Sequence, residues 1–575
     1  MTRALALGVT LVAAKALSLA GASLPASWWT VPAFVWQDVA VAAAFWAVDR
    51  ALARPRWMWA AYAAIVAAAA VSVPITRVLG SPLTVPMLRA AGGPLADSIA
   101  HELTGTNVAI IAVVLAIGAL LPAALGRVPR PVRRAAIACG VVCAIAGPFA
   151  QARVDTRGRD RNVVTAITAT IRPRIDALAA DHDWRRSPFE RGQGEDLRAL
   201  RGAAARSNVV IVVLESTAAR YLKAYGAADD PTPNLTAIAE RAVVFDNAYA
   251  TYPESIKGMV AAFESRYPAF DVPAEAHVSA AAAPLARVLG AAGYRTALFH
   301  SGRFAYLGMD AIVAAQGFDT AEDAGAIGGN VHSSFGVDEP SAVRRMLAWI
   351  DGLPAGQRFF ATYMPVAGHH PYATPDAGPF HDAGELGAYK NALHYGDESI
   401  GDLVAGLAAR RLLDHTLLVI FGDHGEAFGQ HDGNFGHTLF VYDENVRVPL
   451  IVALPRAGED RRVQRVASAL DIAPTVLDLL GLPPSPRHEG VSLLAPERRM
   501  ALFFSDYAVG WLGLRDGCWK DVLEVESGRS QLFDLCADPD ELRDRSADFP
   551  DRVGAYGDRL RAWSRASRAE ILGKR

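Results

Sequence analysis

The sequence has little cysteine and no excess of charge of either sign. Its 575 residues include 57 lysines and arginines against 60 aspartates and glutamates, for a formal net charge of −3. A chain without a basic surplus gives no sign of a nucleic-acid-binding protein, so no nucleic acid is expected as a partner. Only four cysteines are present. Cys139 and Cys143 lie in an apolar run, where a small apolar role is the default.

The other two cysteines, Cys518 and Cys536, flank the segment "WKDVLEVESGRSQLFDL". Two strands around the Ser-Gly pair are predicted here, and the cysteines would then occupy facing positions on a hairpin. Facing positions are close enough for a disulfide in an oxidising compartment. The sequence favours this bond without deciding it.

Long apolar segments crowd the first 151 residues. Five of them are almost free of charge and cover about 17–20 residues each, at roughly 4–22, 32–49, 57–76, 107–126 and 135–151. About 20 residues cross a ~30 Å hydrocarbon core. The first segment alone could be a cleaved signal peptide, but four more follow it. A membrane domain of five helices over 1–151 is therefore predicted.

The orientation of this domain follows from the arginines in its short loops. The loop at 50–56 carries Arg50, Arg54 and Arg56, and "RVPRPVRR" at 127–134 carries four arginines, whereas the loop after the first segment has none. Basic loops stay in the cytoplasm. A multi-pass protein of the inner (cytoplasmic) membrane is expected, with residues 152–575 extracytoplasmic.

The remaining chain divides into three predicted parts. Residues 152–206 are polar and rich in arginine, which indicates a linker near the membrane surface. From 207 to 499, buried-strand segments such as "NVVIVVL" and "TLLVIFG" alternate with helical ones, which is typical of an α/β sandwich with a mostly parallel sheet. Residues 500–575 suggest a small antiparallel sheet and a closing helix, with no catalytic role expected.

One segment, "GDHGEAFGQHDGNFGH" at 422–437, holds three histidines, two aspartates and a glutamate. A solvated surface loop would explain it alone. However, Glu215, His300 and the Asp423-His424 pair each follow a different predicted strand. Ligands gather beyond the carboxyl ends of parallel strands. A metal site at that edge of the sheet is therefore the better interpretation.

Six motifs now point to a family. They are, in order, "NVVIVVLEST", "FDNAYATYPESIKGMVAAFESRYP", "GHHPY", "FGDHGE", "VRVPLIV" and "ALDIAPTVLDLLGL". Together they resemble the sulfatase-like branch of the alkaline phosphatase superfamily. The layout is similar to the lipoteichoic acid synthase and phosphoethanolamine transferase type, in which five membrane spans precede an external catalytic domain.

The resemblance implies a metal site and a nucleophile. The family's ligand positions fall on Glu215, Asp423 and His424, and its nucleophile falls on Ser255, which also reaches the metal. Such a set suits one divalent ion, Mn²⁺, Zn²⁺ or Mg²⁺. Coordination would lower the pKa of the serine hydroxyl and orient it for attack.

Further positions would bind the substrate or move protons. His369 and His437 are the candidates for proton transfer, because a neutral imidazole can take or return the proton of an alcohol. Lys257, His300 and Arg303 are candidates for contacts with the phosphoryl or leaving group. His370 and His431 match no family position and are expected to be structural or solvent-facing.

Two departures narrow the expected chemistry. Sulfatases place their nucleophile in a C/S-x-P-x-R pattern, but Ser255 is followed by Ile-Lys-Gly-Met, which argues against sulfate-ester hydrolysis. Lipoteichoic acid synthases hold glycerol phosphate with a Trp and an Arg, and the corresponding places here are Leu307 and Met309. The glycerol-phosphate pocket is not carried over.

The function expected from this resemblance is transfer of a phosphorylated head group. A phospholipid would donate it to Ser255, and an alcohol on an envelope glycan or lipid would accept it. The alternatives are a phosphate-ester or sulfate-ester hydrolase using the same residues, and a non-catalytic sensor, which would not need an activated serine. The loop 80–104 could cover the site from the membrane side or be a plain connector.

Overall fold

The computed structural model describes residues 2–52, 55–91, 96–176, 183–189, 194–278, 283–306, 308–333, 336–456 and 459–573. Arg54 and Leu307 lie outside these residues, as does part of the loop 80–104. The N-terminal helices are α1 (Thr2–Ser18), α2 (Thr30–Leu52), α3 (Pro55–Leu79), α4 (Val85–Ala90), α5 (Ala96–Glu102), α6 (Gly105–Arg127), α7 (Arg130–Gln151) and α8 (Val163–Ile171).

Among the described residues, four helices are long and apolar enough to cross a membrane: Thr30–Leu52, Arg56–Leu79, Gly105–Arg127 and Arg130–Gln151. Five were expected, and the difference lies in the first segment. Helix α1 ends at Ser18 and has 17 residues, about 26 Å at 1.5 Å per residue, which is short of a ~30 Å core. It still packs against α2, α3 and α6.

The α/β part begins at β1 (Asn208–Leu214) and ends with α17. Its elements continue with α9 (Pro233–Ala239), β2 (Val243–Tyr249), α10 (Ser255–Glu264), α11 (Leu285–Ala291), β3 (Arg295–His300), α12 (Met309–Gln316), β4 (Thr320–Glu322), α13 (Ala324–Ile327), β5 (Val331–Ser333), β6 (Gly336–Val337), α14 (Glu339–Asp351), β7 (Phe359–Met364), α15 (Glu385–Ala409), β8 (Thr416–Gly422), β9 (Ala427–Phe428), β10 (Phe435–Gly436), α16 (Asp443–Val446), β11 (Arg447–Val448), β12 (Leu450–Ala453), β13 (Arg461–Ser468) and α17 (Ile472–Leu479).

Nine strands form one mixed, mostly parallel sheet in the order β11-β2-β12-β8-β1-β7-β3-β4, with β13 paired to β2. Strand β1 is parallel to both β7 and β8, and only β11 and β12 run antiparallel to their neighbours. Side chains of β1 alternate between two cores, Val209 and Ile211 on one face and Val210 and Val212 on the other. Burial on both faces explains the unbroken apolar run, and the predicted sheet is confirmed.

A second sheet closes the chain. It contains β14 (Ala501–Ser505), β15 (Trp511–Asp516), β16 (Trp519–Glu524) and β17 (Ser530–Asp534), all antiparallel, followed by α18 (Pro550–Ile571). The predicted subdomain and its β16–β17 hairpin are confirmed. A disulfide joins Cys518 to Cys536, whose Cα atoms are 5.2 Å apart.

The segment between helix α7 and the large sheet fastens the two parts of the chain together. The Lys15 ammonium of α1 donates to the carbonyls of Arg159 and Arg161 at 2.9 and 2.6 Å. Arg159 in turn pairs with Asp432 at 2.9 Å. The N-terminal helices are therefore linked to the α/β part through this segment, while the exact domain boundaries stay a prediction.

Candidate active site

The carboxyl ends of four neighbouring sheet strands converge on one cavity. Strands β8 and β1 are neighbours, so Asp423 and His424 at the end of β8 meet Glu215 at the end of β1. His300 ends β3, two strands away, and the loop after the intervening β7 carries His369. A parallel sheet thus brings together residues that are far apart in the sequence.

The predicted metal ligands form a compact buried group. Single ligand atoms of Glu215, Asp423 and His424 all lie within 4.8 Å of one another. His424 Nε2 is 3.5 Å from Glu215 Oε1 and 3.6 Å from Asp423 Oδ2. The His424 ring holds its Nδ1 3.0 Å from the carbonyl oxygen of Gly425, so Nδ1 carries the proton and Nε2 faces the carboxylates.

One carboxylate oxygen of Asp423 has no hydrogen-bond partner among the described residues. Asp423 Oδ1 accepts from the amides of Ser216 and His424 at 3.1 and 2.7 Å. Its Oδ2 is buried and has no hydrogen-bond partner among the described residues. A buried charged oxygen without a partner is costly unless a cation satisfies it. The residues present therefore fit a divalent metal ion.

The electrostatics of the group agree with that fit. Burial, with the charge of Glu215, raises the pKa of Asp423 to about 7. Although burial opposes it, the two carboxylates raise the pKa of His424 to about 10. The site therefore attracts positive charge, which a proton or a metal ion can supply.

Ser255 is placed as a nucleophile should be. It is the first residue of α10, where the partial positive charge of the helix faces the cavity. Its hydroxyl donates to Glu215 Oε2 at 3.0 Å. The predicted nucleophile and the predicted ligands are therefore in direct contact.

Two histidines at the cavity are oriented by hydrogen bonds from their Nδ1 atoms to backbone carbonyls, so Nδ1 carries the proton. His300 Nδ1 lies 3.0 Å from the carbonyl of Met364, and His369 Nδ1 lies 2.7 Å from that of His370. Burial lowers the pKa of both rings. Both imidazoles are thus neutral at neutral pH and can accept a proton.

His437 is supported by a carboxylate that the sequence analysis did not single out. Its Nδ1 lies 2.7 Å from Glu426 Oε2, and the Tyr372 hydroxyl donates to Glu426 Oε1 at 2.9 Å. The His437 ring lies 4.2 Å from that of His424, centroid to centroid. Glu426 is in the quoted "FGDHGE" motif, but its partner eleven residues later follows only from the fold.

Arg303 and Lys257 occupy different surroundings. Arg303 is exposed and lines the cavity. The Lys257 ammonium is buried, pairs with Asp506 at 2.8 Å and lies over the Tyr252 ring at 4.5 Å. Lys257 is not among the described residues that line the cavity. Its substrate contact stays a prediction, and the structure gives it a fixed carboxylate partner.

The cavity has a volume of about 700 Å³, including space open to solvent, and its wall contains residues that sequence reasoning missed. These are Glu254, Ile256, Gly302, Tyr306, Val366, Thr438 and Tyr507. Tyr507 belongs to the C-terminal region from which no site residue was expected. Glu254 precedes the nucleophile, and burial raises its pKa to about 7, although Lys257 opposes this. Met309 also lines the cavity.

The two unmatched histidines lie outside the cavity wall. His431 Nδ1 is 2.7 Å from Glu444 Oε1, and its ring stacks on Tyr442 at 3.8 Å. That is the structural role expected for it. His370 faces Glu385 at the protein surface, 3.5 Å away.

Residues 207–482 match the family model Sulfatase. Arylsulfatase K of Mus musculus is 30% identical over 187 residues, which are 29% of this chain and 33% of that protein. Choline-sulfatase of Rhizobium meliloti is 34% identical over 169 residues, 27% of this chain and 32% of that protein. The chain thus spans about a third of the length of these curated relatives.

Solved structures share the fold over a longer stretch. A protein of the alkaline phosphatase superfamily from Vibrio parahaemolyticus matches with a TM-score of 0.54 and 19% identity, covering 70% of this chain and 90% of that one. The lipoteichoic acid synthase LtaP from Listeria monocytogenes matches with a TM-score of 0.52 and 19% identity, covering 65% and 94%. Identities this low show the common fold alone.

Proposed function

We propose that this protein is a membrane-anchored, metal-dependent phosphotransferase, because residues 207–482 match the Sulfatase family model and the chain shares the fold of an alkaline phosphatase superfamily protein. It would move a phosphorylated head group from a phospholipid donor, through Ser255, to an alcohol on an envelope glycan or lipid. The single observation that carries this proposal is the Ser255 hydroxyl, 3.0 Å from Glu215 within the buried ligand group.

The chemistry would proceed in two balanced displacements. The Ser255 oxygen attacks the phosphorus of the donor diester, and the bond from phosphorus to the lipid alcohol breaks. An acceptor hydroxyl then attacks the same phosphorus and frees Ser255. His369 and His437 would take and return the protons of these alcohols.

A divalent ion held by Glu215, Asp423 and His424 would lower the pKa of the Ser255 hydroxyl and neutralise charge on the phosphoryl oxygens. Zn²⁺ and Mn²⁺ suit a set that mixes carboxylates with an imidazole, and Mg²⁺ suits its oxygens. The protein's own contribution is to hold the serine, the carboxylates and the histidines around one phosphorus atom.

A lipid donor is supported by where the cavity lies. The Thr84 hydroxyl, at the start of α4 in the membrane domain, donates to the backbone carbonyl of Tyr507 at 2.9 Å, and Tyr507 lines the cavity. Met87 of α4 packs with Leu439 and Phe440, directly after the cavity residue Thr438. A site tethered this close to a bilayer meets lipid head groups at high effective concentration.

The orientation belongs to this proposal. If helices α2, α3, α6 and α7 each cross the membrane, the arginine-rich loops at 50–56 and 127–134 would share one side and the catalytic part would lie on the other. We expect a reporter enzyme that is active only in the cytoplasm to stay silent when fused to the C-terminus. Strong reporter activity would contradict the extracytoplasmic location.

A second candidate function is hydrolysis of a phosphate or sulfate ester, with water as the acceptor. The curated relatives favour it, since both are named sulfatases. The sequence after Ser255 opposes its sulfatase form, because Lys257 and Met259 stand at the Pro and Arg positions of the sulfatase pattern. A transferase must position its acceptor well enough to compete with water at ~55 M, which effective molarities of ~10⁵ M allow.

The full-length protein in lipid nanodiscs with a head-group-labelled phospholipid separates the two functions. We expect an added envelope acceptor to increase donor consumption and to carry the label, and Ser255→Ala to abolish both effects. Unchanged consumption with every acceptor, and label recovered only as a free phosphate ester, would establish the hydrolase instead. Truncation of residues 1–206 should weaken the use of bilayer donors while sparing small soluble esters.

A further inference from the structure

A second cluster of metal-ligating side chains lies outside the catalytic cavity. His101, His370 and Glu385 each present one ligand atom, and these atoms all lie within 4.8 Å of one another. His101 Nε2 is 3.7 Å and His370 Nε2 is 3.5 Å from the same oxygen, Glu385 Oε1. The two imidazole rings are 5.4 Å apart and nearly perpendicular.

These separations are close to those of a zinc site. Ligand atoms ~2.0–2.1 Å from a tetrahedral ion lie roughly 3.3–3.4 Å apart, so side-chain movements of about an ångström would close the cluster on an ion. Both observed distances are longer than an ordinary N–H···O hydrogen bond of ~2.9 Å.

The three residues come from different parts of the fold. His101 is in α5, within the loop 80–104 of the membrane domain, and Glu385 is the first residue of α15. His370 lies in the loop after β7, next to the cavity residue His369. The cluster thus bridges the membrane domain and the loop that carries a catalytic histidine.

We propose that His101, His370 and Glu385 bind a second divalent ion of borderline character, such as Zn²⁺, and fasten the membrane-side loop to the catalytic domain. Two imidazoles and one carboxylate select Zn²⁺ over Mg²⁺ or Ca²⁺, which prefer all-oxygen sites. The His101 and Glu385 side chains are 55% and 47% exposed, which leaves an entry path and a fourth position for water.

The surroundings agree with this role. The neighbouring His370, and to a smaller extent His101, lower the pKa of the Glu385 carboxyl, so it is ionised at neutral pH and able to bind a cation. His370 also packs its ring against Tyr372, at 5.3 Å, whose hydroxyl donates to Glu426. An ion here would thus immobilise a loop in contact with the residues that hold His437.

Zinc counting on the full-length protein tests the proposal. The detergent-solubilised protein is stripped with a chelator, dialysed against buffered Zn²⁺ and analysed by elemental mass spectrometry. We expect His101→Ala and Glu385→Gln each to lose one equivalent of zinc relative to the wild type. The matched control is His381→Ala, an exposed histidine four residues before Glu385, which should lose none.

A second measurement separates this site from the catalytic one and from misfolding. Asp423→Asn should lose one equivalent of zinc from the catalytic site. The variant that combines Asp423→Asn with His101→Ala should therefore lose two equivalents of zinc. Cu²⁺ bound to the Asp423→Asn variant should give an electron paramagnetic resonance spectrum with two nitrogen ligands. The two-nitrogen signal should be absent from the variant that combines Asp423→Asn with His101→Ala. Equal zinc content in the wild type, His101→Ala and Glu385→Gln would overturn the proposal, whatever the catalytic metal does.

Discussion

The exchange of Asp423 for asparagine should have opposite effects on stability without and with metal. Asparagine keeps the shape of the side chain and can still accept from the two amides that bind Oδ1. It removes the negative charge of Oδ2, the oxygen without a hydrogen-bond partner among the described residues. Metal-free Asp423→Asn should therefore unfold at a higher temperature than the metal-free wild type at pH 8.

The magnitude follows from the pKa of Asp423, which burial and Glu215 raise from 3.8 to about 7. Each pH unit between these values corresponds to ~1.4 kcal/mol, so the ionised carboxyl destabilises the metal-free fold by up to about 4 kcal/mol. The folded state binds this proton more tightly than the unfolded state. The destabilisation is therefore absent below about pH 4, grows between pH 4 and 7, and is complete at pH 8.

With saturating metal, the wild type should be more stable than Asp423→Asn. A ligand bound only to the folded state stabilises it by about 5.4 kcal/mol at a concentration ~10⁴ times its Kd, which exceeds the destabilisation of about 4 kcal/mol, and Asp423→Asn should lose most of that gain. Differential scanning calorimetry with chelator or with Mn²⁺, at pH 4 and pH 8, measures both effects. Asp414→Asn, an exposed carboxylate before the opposite end of β8, is the control and should change neither.

A metal-free Asp423→Asn that is less stable than the wild type at pH 8 would contradict this prediction. A variant that gains as much stability from Mn²⁺ as the wild type does would also contradict it. Either result would mean that the buried Oδ2 of Asp423 does not require a cation.

Three further perturbations follow from other contacts. Glu426→Gln should lower kcat by up to ~10²-fold with little change in KM, because His437 loses the carboxylate that orients it; an unchanged kcat would exclude that role. Glu254→Gln should be more stable than the wild type at pH 8 but equal to it below pH 4.5, since burial raises the pKa of Glu254 to about 7; calorimetry at both pH values tests this. Replacing Cys518 and Cys536 with serine should lower the free energy of unfolding by ~3 kcal/mol for an 18-residue separation, and equal denaturation midpoints would refute it.

Much of the fold and the metal group could be predicted because their signals are local. The run "NVVIVVL" is apolar at every position, as a strand buried on both faces must be, and β1 lies between β7 and β8. Strand ends are likewise marked by the polar residue that follows, so Glu215, His300 and the Asp423-His424 pair could be predicted to lie at one edge of the sheet. The choice of Glu215, Asp423 and His424 as the metal ligands came from the family resemblance.

The rest depends on contacts between distant segments, which no local pattern encodes. Lys257 is two residues from the nucleophile, yet its partner Asp506 comes from the C-terminal subdomain. The pairing of Glu426 with His437 depends on the short β9–β10 hairpin. The first apolar segment was expected to span the membrane because it is apolar from about residue 4 to residue 22. Its helix ends earlier, at Ser18, and the apolar pattern does not show that end.

The central claim is that Ser255 carries the phosphorylated head group between donor and acceptor. Intact-mass and peptide-mass analysis of the full-length protein, quenched with acid shortly after mixing with donor phospholipid and metal, tests it most directly. We expect a head-group phosphate on the peptide containing Ser255, which is lost when an acceptor alcohol is added and is absent from Ser255→Ala. Turnover of donor without any such adduct, or turnover that persists in Ser255→Ala, would contradict it.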